Sequence, residues 1–300
     1  MEFGKVAVLM GGKAAEREIS LKSGTAVTQA LQRQQIDATA CDVSTLEDLQ
    51  EIAKQYDRAF IALHGRWGED GKVQAALEDL GIPYTGSGMA ASAIAMDKLR
   101  SKWMWRGAGL PTPDFVWISD NNPFDRNAFS IPFPVIVKPS HEGSSIGMRK
   151  VDSLAELEKA VIYAQQFDSE VLIEQWVTGS EFTAGILNGE ALPLIQLKTS
   201  HDFYDFEAKY KSNDTQYICP CGLPEELEVS IQKMALQAFD VIGAKTWGRI
   251  DVMLDESNQP WLIELNSVPG MTDHSLVPMA AKQAGRSFEQ LVVEILASTL

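Results

Sequence analysis

Four side chains near the C-terminus carry the sharpest chemical signal. Trp247 to Leu254 reads Trp-Gly-Arg-Ile-Asp-Val-Met-Leu, Pro260 to Asn266 reads Pro-Trp-Leu-Ile-Glu-Leu-Asn, and Asp255 to Gln259 is a turn-forming cluster between them. Two apolar runs around such a cluster predict a hairpin. With the loop at Glu256 to Gln259, Asp251 falls opposite Glu264 and Arg249 opposite Asn266. Alternation with period two then puts these four on one face and Ile250, Val252, Leu254, Ile263 and Leu265 on the other. Two desolvated carboxylates facing each other repel unless a cation lies between them. Hard oxygen ligands suit magnesium, which takes one or two protein carboxylates and completes its shell with phosphate oxygens. The pair therefore points to a nucleotide. The competing account is a surface hairpin with a solvated acidic face.

Further candidates lie upstream. Val135-Ile-Val-Lys138-Pro is an apolar strand ending in a lysine, and because a buried unpaired ammonium is costly, an anion is expected at Lys138. Ser140 to Gly147 follows, small and glycine-containing, able either to fold its amides over phosphates or to make a plain hairpin turn. Residues 198 to 215 mix aromatics and charges without a period and include Glu207-Ala-Lys209-Tyr210, as a functional lid would. Gly86 to Ala91 matches a dinucleotide-binding fingerprint, but it does not follow the first strand and has no acidic residue about 20 positions on, so it reads as a helix start. Cys219-Pro-Cys221 has neither redox nor zinc spacing.

These groups must be positioned by alternating elements. Lys5 to Met10, Ala38 to Val43 and Arg58 to Leu63 read as strands, with helical patterns over Ser20 to Gln34, Leu46 to Lys54 and Lys72 to Leu80. That order predicts a parallel sheet whose ligands sit at the carboxyl ends of its strands, where Gly11-Gly12 and His64-Gly65 lie. Ile82 to Thr85 is a further strand, and one helix is expected to open in Gly86 to Ala91 and run through Asp97, Lys98 and Arg100 to about Arg106. After the Gly107 to Pro113 linker, Ser153 with Glu156 opens a helix as a capping box, and Glu170 to Trp176 is a strand. Asn188-Gly189 joins Glu181 to Leu187 and Ala191 to Ile195 in a second hairpin, and a helix spans Pro224 to Gly243. Length and element order suggest three lobes, at 1–95, 96–178 and 179–300. A net charge of −15 opposes nucleic-acid and anionic-membrane partners, so any phosphate must meet particular lysines and arginines. With no apolar run of about 18 residues and no signal-peptide pattern, a cytoplasmic protein is expected.

Taken in order, the strings Gly11-Gly12 with Ala15 to Leu21, His64-Gly65, Gly68 to Gly71, Tyr84 to Gly88, Met96-Asp97-Lys98, Val137-Lys138-Pro139, Glu142 to Ser145, Glu207 to Tyr210, Gly248 to Asp251 and Glu264 to Thr272 resemble the ATP-grasp ligases. Within them the chain is similar to the D-alanine:D-alanine ligases over essentially its full length. The resemblance implies an α/β fold of the ATP-grasp type, with an N-terminal Rossmann-like lobe and two lobes that clamp ATP. It implies ATP-dependent joining of two D-alanines through a D-alanyl phosphate, for peptidoglycan precursors, in a homodimer with two magnesium or manganese ions per site and a possible monovalent cation. It also implies that Lys98, Lys138 and Lys209 hold the phosphates, Ser144 and Ser145 cover them, Glu174, Gln175 and Trp176 meet the adenine, and Glu181 the ribose. Asp251, Glu264 and Asn266 match metal ligands. Glu16, with His64 nearby, would bind the first D-alanine, and Ser144 and Tyr210 would join Glu16 in one hydrogen-bonded group. Arg249 and the Gly270 amide would face the oxyanion, and Ser275 with Leu276 the second D-alanine. Gln175, Phe206 and Ser267 depart from the common pattern of lysine, tyrosine and threonine. Tyr210 favours the dipeptide over a D-lactate ester. The alternatives are another ATP-grasp carboxylate-amine ligase, a D-alanine:D-lactate ligase, a nicotinamide dehydrogenase built on Gly86 to Ala91, and a calcium-binding module.

Overall fold

The computed structural model describes residues 2–198, 215–272 and 275–300. Its first sheet is parallel, in the order β2-β1-β3, from Val6–Gly11 (β1), Ala38–Val43 (β2) and Arg58–Ile61 (β3). Strand β1 is buried along almost its whole length, as a central parallel strand must be. Helices Arg17–Arg33 (α1), Leu46–Gln55 (α2) and Lys72–Asp79 (α3) follow the strands in turn. Thr45 starts α2 with a capping box shared with Asp48. The strand expected at Ile82 to Thr85 is reduced to one bridge between Ala59 and Tyr84, because Pro83 has no N–H to extend a ladder.

The single helix expected to open in Gly86 to Ala91 and run to about Arg106 is two helices, Met89–Met96 (α4) and Lys98–Gly107 (α5). Asp97 breaks them apart: its backbone is extended, with ψ at 96°, and its side chain accepts from Arg100 N, so it starts α5 as an N-cap. This restart places Lys98 at the first turn of a new helix.

The middle sheet is antiparallel in the order β4-β7-β5-β6, from Phe115–Ile118 (β4), Val135–Pro139 (β5), Arg149–Val151 (β6) and Val171–Gln175 (β7). Helix Leu154–Ala164 (α6) covers it, capped by Ser153, while the Glu156 carboxylate accepts from Asp152 N rather than closing the expected box. The third sheet runs β11-β10-β8-β12-β13, with Gly179–Leu187 (β8) central. Glu190–Ala191 (β9) pairs with one end of β8, and Ile195–Lys198 (β10) with the other. The single return strand expected over Ala191 to Ile195 is therefore split at Pro193, which cannot donate to a ladder. Gln216–Ile218 (β11), Trp247–Asp255 (β12) and Pro260–Asn266 (β13) complete the sheet. Helix Glu225–Ile242 (α7) packs on one face over Phe182, Ile250, Val252, Leu262 and Leu265.

Gly248 lets α7 come close, since a Cβ there would lie 2.7 Å from the Phe239 ring and 3.0 Å from Asn266 O. Helices Leu276–Gln283 (α8) and Phe288–Ala297 (α9) return to the first sheet. Val277, Ala280, Leu291 and Ile295 share its core with Val27 and Leu31. Among the described residues no helix is long and apolar enough to cross a membrane.

Candidate active site

The β12/β13 hairpin has the expected register at its open end, with Asp251 opposite Glu264 and Arg249 opposite Asn266. The register then shifts, so that Val252 pairs with Leu262 and Ile263 is the extra residue of a bulge. The expectation that Ile263 faces the core is overturned: Leu262 is the fully buried residue, and Ile263 lines the same cavity as Glu264 and Met253. A bulge turns two successive side chains to one side, which alternation cannot do.

Asp251 is almost completely satisfied by side chains. Arg249 donates to both its oxygens at 2.7 Å, Thr183 on β8 to Oδ1 at 2.9 Å, and Asn266 Nδ2 to Oδ2 at 3.1 Å. Glu264 lies 3.8 Å from Lys98 Nζ. Cationic side chains therefore stand beside both carboxylates. The Asn266 amide nitrogen is committed to Asp251, so its oxygen is the atom left to offer a ligand. Two carboxylates and an amide oxygen on one sheet face, beside a lysine-lined cavity, form a hard donor set that fits magnesium.

That cavity lies between the second and third sheets and is lined by Lys98, Lys138, Ser144, Glu174, Asp251 and Glu264, with Ile136, Met148, Met253 and Ile263 as apolar walls. Lys138 meets an anion, as expected, and the anion is Glu174 Oε1 at 3.0 Å. Lys102, which sequence reasoning missed, is fully buried and stands 2.5 Å from the other Glu174 oxygen. It also donates to Thr112 Oγ1 at 2.8 Å. Burial would raise Glu174, but Lys102 and Lys138 overcome it and hold the carboxyl below its usual range. Burial pushes Lys102 down to about 8, against the opposing pull of Glu174. The Gln175 and Trp176 amides donate to Asp114 O at 2.8 Å and Pro134 O at 3.1 Å. These two residues thus face the cavity, with Val177 and Glu181, without those N–H groups. Val177 and the four apolar wall residues were also missed. The alternation of Ile136 with Lys138 along β5 was the one available signal.

A second cavity, sharing Lys98, Ser144 and Glu264 with the first, brings together Glu16, His64, Arg249, Asn266, Gly270 and Ser275. Leu276 lines it as well. Glu16 sits at the start of α1 and accepts from Ser144 Oγ at 2.9 Å. Gly65, with φ at +68°, leaves the space that the Glu16 carboxylate fills. Ser144 and Ser145 both take left-handed backbone, with φ at 52° and 61°. Lys98 Nζ holds the same loop through Glu142 O at 2.6 Å, and Arg66 Nε through the Glu142 carboxylate at 2.9 Å.

His64 Nδ1 is 3.0 Å from Val268 O, so this nitrogen carries the hydrogen, and Nε2 accepts from Ser23 Oγ at 3.2 Å. Burial lowers its pKa to about 4, leaving it neutral. Glu69, also missed, accepts from Gly65 N at 2.6 Å and is raised to about 8 by burial. Ser275 Oγ accepts from Thr272 N at 2.9 Å. Lys209 and Tyr210, with most of the expected lid, lie outside the described residues.

The arrangement offers a cavity whose two lysines suit a polyphosphate, a larger polar cavity holding Glu16 and Arg249, and a shared wall across which a group can pass. Comparison with known proteins agrees. Residues 104–297 match the family model for the D-ala D-ala ligase C-terminus and residues 43–87 that for the N-terminus. A D-alanine–D-alanine ligase from Hydrogenovibrio crunogenus is 66% identical over 99% of this chain and 95% of that protein, and one from Nitrosococcus oceani is 56% identical over 99% and 94%. Among solved structures, a Bacillus anthracis D-alanine–D-alanine ligase complexed with ATP is 32% identical with a TM-score of 0.89, covering 99% of this chain and 97% of that one. The VanG D-Ala:D-Ser ligase of Enterococcus faecalis is 26% identical, at TM-score 0.86 over 99% of both chains. By fold, sequence and the joining of its two cavities, the chain belongs to the ATP-grasp family of D-alanine–D-alanine ligases.

Proposed function

We propose that the chain joins two D-alanines into D-alanyl-D-alanine for peptidoglycan precursor synthesis, converting ATP to ADP and phosphate. The observation that carries this reading is the continuity of the two cavities across Lys98, Ser144 and Glu264. A carboxylate is a poor electrophile, so an oxygen of the first D-alanine attacks the γ-phosphorus of ATP, ADP departs, and an acyl phosphate forms. The amine nitrogen of the second D-alanine then attacks the acyl carbon, loses its proton, and expels phosphate. Both steps gather negative charge, which fixed cations and amide donors stabilise best.

In this reading Lys98, Lys138 and Lys209 hold the phosphates under the Ser144–Ser145 loop. The 174–177 segment receives the adenine and Glu181 the ribose. Asp251, Glu264 and Asn266 take magnesium or manganese, two ions per site, which supply charge neutralisation on the phosphates. Glu16 holds the first ammonium, with neutral His64 as a hydrogen-bonding neighbour. Arg249 and the Gly270 amide face the tetrahedral oxyanion, and Ser275 and Leu276 the second substrate. Tyr210 extends the Glu16–Ser144 pair and favours an amine over a D-lactate hydroxyl. Monovalent-cation activation, a homodimer, a cytoplasmic location and the lobes 1–95, 96–178 and 179–300 belong to the same reading.

The test is incubation with ATP, magnesium and D-alanine, with products identified by mass. D-alanyl-D-alanine and ADP in equal amounts are expected, and ADP without dipeptide would refute the assignment. Glu264→Ala should abolish turnover while the far-UV spectrum stays unchanged; retained turnover would contradict the metal role.

A further inference from the structure

His141 follows Ser140 at the end of β5 and precedes the Glu142 to Ser145 loop, and its imidazole lies between two carboxylates. Nδ1 is 2.8 Å from Asp168 Oδ2 and Nε2 is 3.0 Å from Asp97 Oδ2. An ionised carboxylate only accepts, and a neutral imidazole carries a single N–H, so both contacts are hydrogen bonds only for the imidazolium. The charge is thus required by geometry. The His141 backbone N–H also donates to Asp168 Oδ2 at 2.8 Å.

Asp97 and Arg100 face this ring from the junction of α4 and α5, and Asp168 and Glu170 from the turn before β7. Glu170 Oε2 lies 3.9 Å from Nε2, and Arg100 spans Glu170 and Asp97, reaching Asp97 Oδ2 at 3.1 Å. Three carboxylates face one guanidinium and the imidazolium. Loss of the ring proton would leave Arg100 alone against all three. The hydrogen bonds to Asp168 and Asp97 outweigh burial and lift the His141 pKa to about 9.

Both ends of this contact lead to the candidate active site. Asp97 caps α5 one residue before Lys98, and its Oδ1 accepts from Ser140 Oγ at 3.0 Å. Lys98 N donates to Ser140 O at 3.1 Å, and Lys98 Nζ to Glu142 O at 2.6 Å. The loop rooted here is the one whose Ser144 reaches Glu16.

We propose that His141 is a positioning residue: as an imidazolium it fastens the root of the 140–147 loop to the start of the Lys98 helix and to the 168–170 turn, holding that loop over the ATP phosphates until the ring loses its proton. The proposal rests on the reading of this loop as phosphate cover. A metal ion among Asp97, His141 and Glu170 fits less well, because Arg100 already occupies both Glu170 oxygens and a ligating imidazole would surrender one of its bonds.

The test measures KM for ATP and kcat of the full chain from neutral to alkaline pH, for the wild type, His141→Gln and His141→Arg. His141→Gln should raise the ATP KM about tenfold at neutral pH, the loss of charge-assisted hydrogen bonds, with a smaller fall in kcat. The wild-type KM should climb toward that of the variant as pH passes about 9, while His141→Arg, charged throughout, keeps a low KM.

NMR titration of the His141 ring reads the clamp without activity, and a midpoint near 9 supports it. A midpoint at or below about 7, the ordinary range, overturns it. So does stoichiometric zinc binding by the wild type that His141→Gln removes. A midpoint near 9 with an unchanged ATP KM in His141→Gln refutes the loop's role over the phosphates, and the proposal with it, while leaving ligase activity itself to the product assay.

Discussion

At the scale of single residues, the site depends on charges held in the interior by one another. Glu174 is buried between Lys102 and Lys138, one carboxylate oxygen facing each ammonium. Glu174→Gln would leave two ammonium groups facing each other around a neutral amide. Breaking a buried pair in this way destabilises by about 3–5 kcal/mol, and the denaturation midpoint should fall accordingly. Saturating ATP should restore part of the loss, because its phosphates supply the missing negative charge. An unchanged midpoint would mean that the lysines shed their protons instead. Lys138 was legible from sequence because it ends an apolar strand. Lys102 was not, since a lysine four positions after Lys98 on a helix ordinarily marks a solvated face.

At the scale of elements, the bulge at Ile263 decides what the hairpin presents. A regular hairpin would alternate, leaving Leu262 on the site face and Ile263 in the core, the reverse of what is observed. Leu262→Ala should therefore lower stability by about 2–5 kcal/mol, as for a buried leucine with no room to collapse. Ile263→Ala should cost much less stability but raise the ATP KM, since it removes an apolar wall of the cavity proposed to take the nucleotide. Unfolding curves and ATP kinetics on the two variants separate the alternatives, and the opposite pattern would restore the unbulged hairpin. The break at Asp97 is a second case. Composition favours a continuous helix there, but Asp97, besides capping Arg100 N, is tied to Ser140 and His141, contacts that no local window contains.

At the scale of the whole molecule, α8 and α9 fold back on the N-terminal sheet and bring Gly270 and Ser275 to Glu16 and His64. His64 is neutral because this packing buries it. Its folded pKa of about 4 lies below the unfolded value of about 6.5, so between these pH values the unfolded chain takes a proton that the folded one refuses. Its contribution to stability is complete above about pH 6.5 and is lost as pH falls toward 4, by about 3 kcal/mol at most. Urea unfolding of the wild type and His64→Gln across that interval should show a shallower acid slope in the variant. Parallel slopes would mean that the ring is accessible to protons in the folded state.

The sequence alone determined the alternating elements, the facing of Asp251 with Glu264 and Arg249 with Asn266, and the family. These follow from periodicity and short strings, and both are local. The positions of Lys102, Glu69, Val177 and Ile263, the restart of the helix at Asp97 and the charge on His141 were decided only by the tertiary structure. Lys102 and His141 depend on partners far along the chain, Glu174 for the first and Asp97 and Asp168 for the second, while Ile263 leaves the core because the bulge gives that place to its neighbour Leu262. Burial and charge pairing are properties of the packed whole, and no stretch of the chain carries them by itself.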